Sequence, residues 1–73
     1  MIGIAGAGAF GTALAVALAK GGCEVRLWAR DGNQVQVIRK TGRNDAALPG
    51  AELPAGVSVH ADIDEILGGN ALL

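Results

Sequence analysis

One cysteine, two prolines, one phenylalanine, one tryptophan and no tyrosine leave this chain of 73 residues short of the devices that usually staple or decorate a small protein. Cys23 has no second thiol, so an internal disulfide and a multi-cysteine metal site are both excluded, and a reducing, cytoplasmic setting is the expectation. The single histidine, His60, likewise lacks a Cys or His partner; it reads as an ordinary strand-end residue, and no metal site is expected. Charge of one sign is missing as well. Six Lys+Arg stand against seven Asp+Glu, scattered to a net charge of -1, which removes both a polybasic nucleic-acid footprint and an acidic tail. No repeat of 20 to 50 residues and no low-complexity tract is present.

From Met1 to Ala19 charge is absent altogether, and such a run is about long enough to cross a membrane. Its details argue otherwise. The first basic residue, Lys20, follows the run instead of preceding it as a signal peptide requires, and four glycines inside it weaken any continuous helix. No membrane span is expected.

Glycine, by contrast, is abundant at 12 of 73 residues. Ile2 to Ile4 make a short β-branched run, and Phe10 to Lys20 is rich in Ala and Leu and free of proline, a helix closed by Gly21-Gly22. Glu24 to Trp28 alternates, with Val25 and Leu27 on one face and Glu24, Arg26 and Trp28 on the other, and reads as a second strand in which Trp28 packs on the sheet. Asp31 followed by Gln34 has capping-box spacing ahead of an amphipathic stripe of Val35, Val37 and Ile38, which predicts a second helix to about Lys40. An irregular loop follows from Arg43 to Gly56, then a third strand over Val57 to Val59. Asp62 with Glu65 offers a second capping box for a one- or two-turn helix closed by Gly68-Gly69, and Ala71-Leu72-Leu73 opens a fourth strand. Strand, helix, strand in about 30 residues is a βαβ unit. Repeated, it implies an α/β chain: a Rossmann-type half of a doubly wound parallel sheet with right-handed crossovers. An apolar strand that opens at the last residues is the mark of a fragment, truncated in that fourth strand.

Gly6-Ala7-Gly8-Ala9-Phe10-Gly11 lies between the first strand and the first helix, the one context in which G-x-G-x-x-G carries weight. Each glycine has its own physical reason: Gly6 permits the tight turn, Gly8 lets backbone approach a pyrophosphate, and Gly11 allows helix and strand to pack closely. Unpaired N–H groups and the positive dipole end at the helix start complete an anion site. NAD binders place a carboxylate about 20 residues on, at the end of the second strand, to accept from the ribose 2′-hydroxyl. Here that position falls near Ala29, with Arg30 next. Removing the acid removes repulsion toward a 2′-phosphate, and a guanidinium donates two parallel hydrogen bonds to one, so NADP(H) is preferred and NAD(H) is tolerated. Asp31 is the competing 2′-hydroxyl acceptor, but its spacing assigns it to helix capping.

Three segments together resemble the N-terminal part of bacterial NAD(P)-dependent glycerol-3-phosphate dehydrogenases: Gly6 through Ala15, Val25-Arg26-Leu27-Trp28-Ala29-Arg30, and Asn44 through Leu48-Pro49-Gly50 to Leu53-Pro54. The resemblance covers nearly the whole chain but about the first fifth of such an enzyme. It implies a partial NAD(P)-binding domain over residues 1–73, with the catalytic helical domain outside this chain. Cofactor contacts carry over to Gly6, Gly8, Ala9, Phe10, Gly11 and Arg30. The family usually has a serine where Ala9 stands, keeps an aromatic at Phe10, and places an aromatic where Ala47 stands. The implied activity is interconversion of dihydroxyacetone phosphate and glycerol 3-phosphate with NAD(P)H, feeding glycerophospholipid synthesis, with a homodimer formed through the missing domain. The family's catalytic lysine matches neither Lys20 nor Lys40, so no catalytic residue is assigned. Two rivals stand beside it: a non-catalytic NADP(H)-sensing module, and another Rossmann dehydrogenase of different substrate.

Overall fold

The computed structural model describes all residues from Met1 to Leu73. Four strands, β1 (Ile2–Ile4), β2 (Val25–Trp28), β3 (Val57–His60) and β4 (Ala71–Leu72), alternate with helices α1 (Ala9–Lys20) and α2 (Gly32–Thr41) and a short 3-10 helix (Ile63–Ile66). All strand pairs are parallel, in the order β3-β2-β1-β4. The α/β reading therefore holds. The chain steps outward from β1 to β3 and then returns to place β4 on the other side of β1, so the direction of winding reverses between β1 and β4, as in a doubly wound sheet.

Period-two alternation decides what covers each face of this sheet. Val25, Leu27 and Val59 are buried with Ile4 under α1 and α2, and Ala15, Val35 and Ile38 close that core. Small residues set how near α1 can lie, since its two fully buried positions are Thr12 and Ala15, while Leu14 and Leu18 are only partly covered. Val37, grouped by sequence with the apolar stripe of α2, is 57% exposed. The opposite face carries Gly3, Arg26, Trp28, Ser58 and His60 and is covered by the 3-10 segment. Ile66 is buried there against Gly3, Arg26 Nη1 donates to the Glu65 carbonyl at 2.8 Å, and Trp28 Nε1 donates to the Ala61 carbonyl at 2.9 Å.

Both anticipated capping boxes form only by half. Asp31 and Asp62 accept from the backbone N–H two residues on, at 2.9 and 3.0 Å, as N-caps should. Gln34 does not reach back to Asp31; its amide turns inward to the Ala7 carbonyl and Asn44 Oδ1. Glu65 approaches His60 instead, with Oε2 at 3.3 Å from Nδ1 but without the alignment of a hydrogen bond. In each case a tertiary partner has won the side chain from the local one. His60 is otherwise paired with Ser58 Oγ at 2.7 Å through Nε2, and its strand extends one residue past the expected end. The edge of β3 is not left open: Arg39 from α2 donates Nε and Nη2 to the Val59 carbonyl at 3.0 and 2.7 Å. No helix is long and apolar enough to cross a membrane.

Candidate functional site

At the carboxyl ends of β1 and β2 the chain leaves the sheet through Gly6–Gly8 and through Ala29-Arg30, and the two exits flank a cavity of about 460 Å³. Its wall is formed by Gly6, Ala7, Gly8 and Ala9 on one side, by Trp28, Arg30 and Gln34 on another, and by Ala46 and Ala47 of the irregular loop. This is the crevice outside the strand ends where open α/β sheets take their ligands. Four of the six residues singled out in the sequence, Gly6, Gly8, Ala9 and Arg30, meet there. Phe10 and Gly11 do not line it. Phe10 projects into solvent at 81% exposure, and Gly11 faces the fold: a Cβ on it would collide with the Gly6 carbonyl oxygen and lie 3.3 Å from Ile4 Cγ2. At Gly8, in contrast, a Cβ would meet no atom within 4 Å.

Helix α1 begins at this wall without any side-chain cap. Gly8 is its N-cap, no acidic residue occupies the first turn, and the first helical-type bond runs from Thr12 N–H to the Gly8 carbonyl at 2.9 Å. The N–H groups of Ala9, Phe10 and Gly11 therefore precede the hydrogen-bonded ladder and are free for an outside acceptor. The positive dipole end and the exposed Arg30 add potential of the same sign, and no carboxylate lines the cavity. The nearest acid in sequence, Asp31, is engaged as the cap of α2. Such a wall suits an anion with several acceptor oxygens, held through backbone at one end and a guanidinium at the other.

The profile of a family described as "NAD-dependent glycerol-3-phosphate dehydrogenase N-terminus" matches residues 1–73. The chain belongs to this family. Among similar proteins, a glycerol-3-phosphate dehydrogenase [NAD(P)+] of Roseobacter denitrificans is 51% identical over 72 residues, which are 99% of this chain and 22% of that protein. One from Anaplasma marginale is 46% identical over 70 residues, 96% of this chain and 21% of the relative. The crystal structure of glycerol-3-phosphate dehydrogenase from Coxiella burnetii superposes with a TM-score of 0.87 at 38% identity, covering 93% of this chain and 21% of that one. The chain thus spans about a fifth of the length of the dehydrogenases it matches.

Within that family frame, some residues of the cavity wall escape sequence reasoning. Spacing assigns Gln34 to capping and Trp28 to packing, yet both line the crevice, and Trp28 also donates its indole N–H to the Ala61 carbonyl. A signal for Trp28 exists: it stands two residues before Arg30 at the strand end. For Gln34 there is none, because its partners lie 27 and 10 residues away in the chain. Ser58, His60 and Glu65 form a polar trio on the other face, and none of them lines the cavity.

Proposed function

We propose that this chain is the cofactor-binding portion of an oxidoreductase that interconverts dihydroxyacetone phosphate and sn-glycerol 3-phosphate, with NADPH as the preferred donor and NADH accepted. The observation that carries the reading is the uncapped start of α1 facing the same carboxylate-free crevice as Arg30, in a chain of the glycerol-3-phosphate dehydrogenase N-terminal family. In this reading Gly6, Gly8 and Ala9 present backbone to the diphosphate, and the open space over Gly8 is the room that a diphosphate needs. Phe10 and Gly11 contribute their N–H groups, Gly11 while its missing side chain lets the helix sit against the strand. Arg30 holds the 2′-phosphate of the adenosine ribose, replacing the acid that NAD-specific sites use at the strand end.

The nicotinamide supplies the hydride; this chain supplies the grip and orientation that bring it to the substrate. Substrate phosphate and catalytic lysine belong to the helical domain that the resemblance implies, where a homodimer would also form. In the cell the product would feed glycerophospholipid synthesis in the cytoplasm.

Trp28 gives the test its readout, since the chain's only tryptophan lines the crevice. Titration with NADPH and with NADH, followed by Trp28 emission and by calorimetry, is expected to show saturable binding of both and tighter binding of NADPH. Folded protein that takes up neither coenzyme at millimolar concentration would overturn the proposal.

A further inference from the structure

Asn44 is 3% exposed although it lies in the irregular segment after α2, and apart from Thr12 it is the polar side chain that the fold buries. Its amide is fully used. Nδ2 donates to the Ala7 carbonyl and to Thr12 Oγ1, both at 2.9 Å, and Oδ1 accepts from Gln34 Nε2 at 3.2 Å. Gln34 Nε2 also reaches the Ala7 carbonyl at 3.3 Å. One carbonyl, between the first and second glycines of the loop, is therefore pulled by two amides from two other parts of the chain. The Asn44 backbone is engaged as well: its carbonyl accepts from the N–H groups of Ala47 and Leu48 at 3.1 and 2.8 Å, forming the turn that holds Ala46 and Ala47 at the crevice.

A trans peptide is planar, with its C=O and N–H pointing in opposite directions. Fixing the Ala7 carbonyl toward Asn44 therefore fixes the Gly8 N–H away from Asn44. We propose that Asn44, assisted by Gln34, is a positioning residue for the diphosphate loop: it sets the plane of the Ala7–Gly8 peptide so that the Gly8 amide is presented to ligand, and couples that loop to the Ala46-Ala47 wall. The inference rests on the dinucleotide reading above. Asparagine suits this position because the site demands two donors and one acceptor in a neutral, buried group. Aspartate would set an acceptor against the Ala7 carbonyl, and an apolar residue would leave Thr12 Oγ1 without its partner and the Ala7 carbonyl held only by the 3.3 Å bond from Gln34.

The test compares NADPH affinity in the wild-type protein, Asn44→Ala, Gln34→Ala and Ile38→Val, the last a core change that removes none of the hydrogen bonds of the strap. Each is measured below its own thermal midpoint. Positioning by Asn44 predicts NADPH binding weaker by about ten-fold or more in Asn44→Ala, a smaller loss in Gln34→Ala, and wild-type affinity in Ile38→Val despite its lowered midpoint. Binding in folded Asn44→Ala within about two-fold of wild type would reduce the residue to a structural role and overturn the inference. Should Asn44→Ala fail to fold, Gln34→Ala decides: unchanged affinity there refutes the strap, and weakened affinity supports it. A wild-type protein that ignores NADPH fails the cofactor reading itself, a different outcome from wild-type binding that the Asn44 change leaves intact.

Discussion

Gly11 faces the carbonyl oxygen of Gly6 with no room for a single carbon between them, so the first and third glycines of the loop are in direct backbone contact across the strand-to-helix turn. A Gly11→Ala substitution brings two opposed effects. Alanine gains about 1 kcal/mol of helix propensity, while forcing a methyl against backbone costs up to about 3 kcal/mol because a carbonyl cannot swing aside as a side chain would. The collision wins, and a net loss of about 2 kcal/mol lowers the thermal midpoint by about 10 °C for a chain of this size. A melt of Gly11→Ala beside wild type measures it; an unchanged or raised midpoint would mean that the helix simply rides outward.

Gly3 offers a contrast. A Cβ here would collide with the Ile66 carbonyl oxygen, but that oxygen belongs to a four-residue 3-10 helix anchored by the buried Ile66 side chain, one hydrogen bond from Arg26 to Glu65, and one from Trp28 to Ala61 just ahead of it. The 3-10 segment can yield where α1 cannot. Gly3→Ala is thus expected to lower the midpoint less than Gly11→Ala, and to raise amide exchange in residues 61–67 while sparing α1, a pattern that hydrogen exchange resolves by segment.

Much of this fold is legible in the sequence because its signals are local or periodic. The β-branched run at Ile2, the alternation of Val25 and Leu27, and the glycine pairs that close helices each depend on neighbours in sequence, and each element appears within a residue or two of its expected place. The reach of Gln34, Glu65 and Asn44 is not legible there. A capping-box pattern states only that a side chain could bond its own helix start, whereas the winner is settled by which partner the tertiary fold brings closer. For Gln34 those partners are Asn44 and Ala7, and for Glu65 it is His60. The crevice itself is half visible in the motif, through Gly6, Gly8, Ala9 and Arg30, and half hidden, since Ala46 and Ala47 reach it only through the turn that Asn44 organises.

That loop also carries a dependence on acid. The Gly50 N–H donates to Asp45 Oδ1 at 3.0 Å, and this bond foremost holds the Asp45 carboxyl below the ordinary aspartate range against an opposing effect of desolvation, with Arg43 beside it adding to the lowering. A carboxyl whose folded value is lowered stabilises the fold fully above its unfolded value and loses that contribution as pH falls through the folded one. The loss here lies below about pH 4. Asp45→Asn should therefore melt slightly below wild type at neutral pH and converge with it in acid, so that the difference between the two midpoints closes as pH falls below about 4. Because Asp45 is exposed, the gap at neutral pH is small. A gap that widens in acid would contradict the assignment.

Arg30 carries the sharpest consequence for cofactor choice. It is exposed at the crevice, its neighbour Asp31 is occupied as a helix cap, and no lining carboxylate competes for its guanidinium. Hydrogen bonds to a charged partner contribute about 1.5–3 kcal/mol, and solvent access places Arg30 at the lower end, so Arg30→Ala is expected to weaken NADPH about ten-fold. NADH has no 2′-phosphate to lose and should change by no more than about two-fold. Salt supplies an independent check, since raising ionic strength screens an exposed phosphate pair and should weaken NADPH more than NADH in wild type. In Arg30→Ala that difference in salt sensitivity should shrink. Equal losses for the two coenzymes, or a salt difference that survives the substitution, would move the 2′-phosphate contact to another residue.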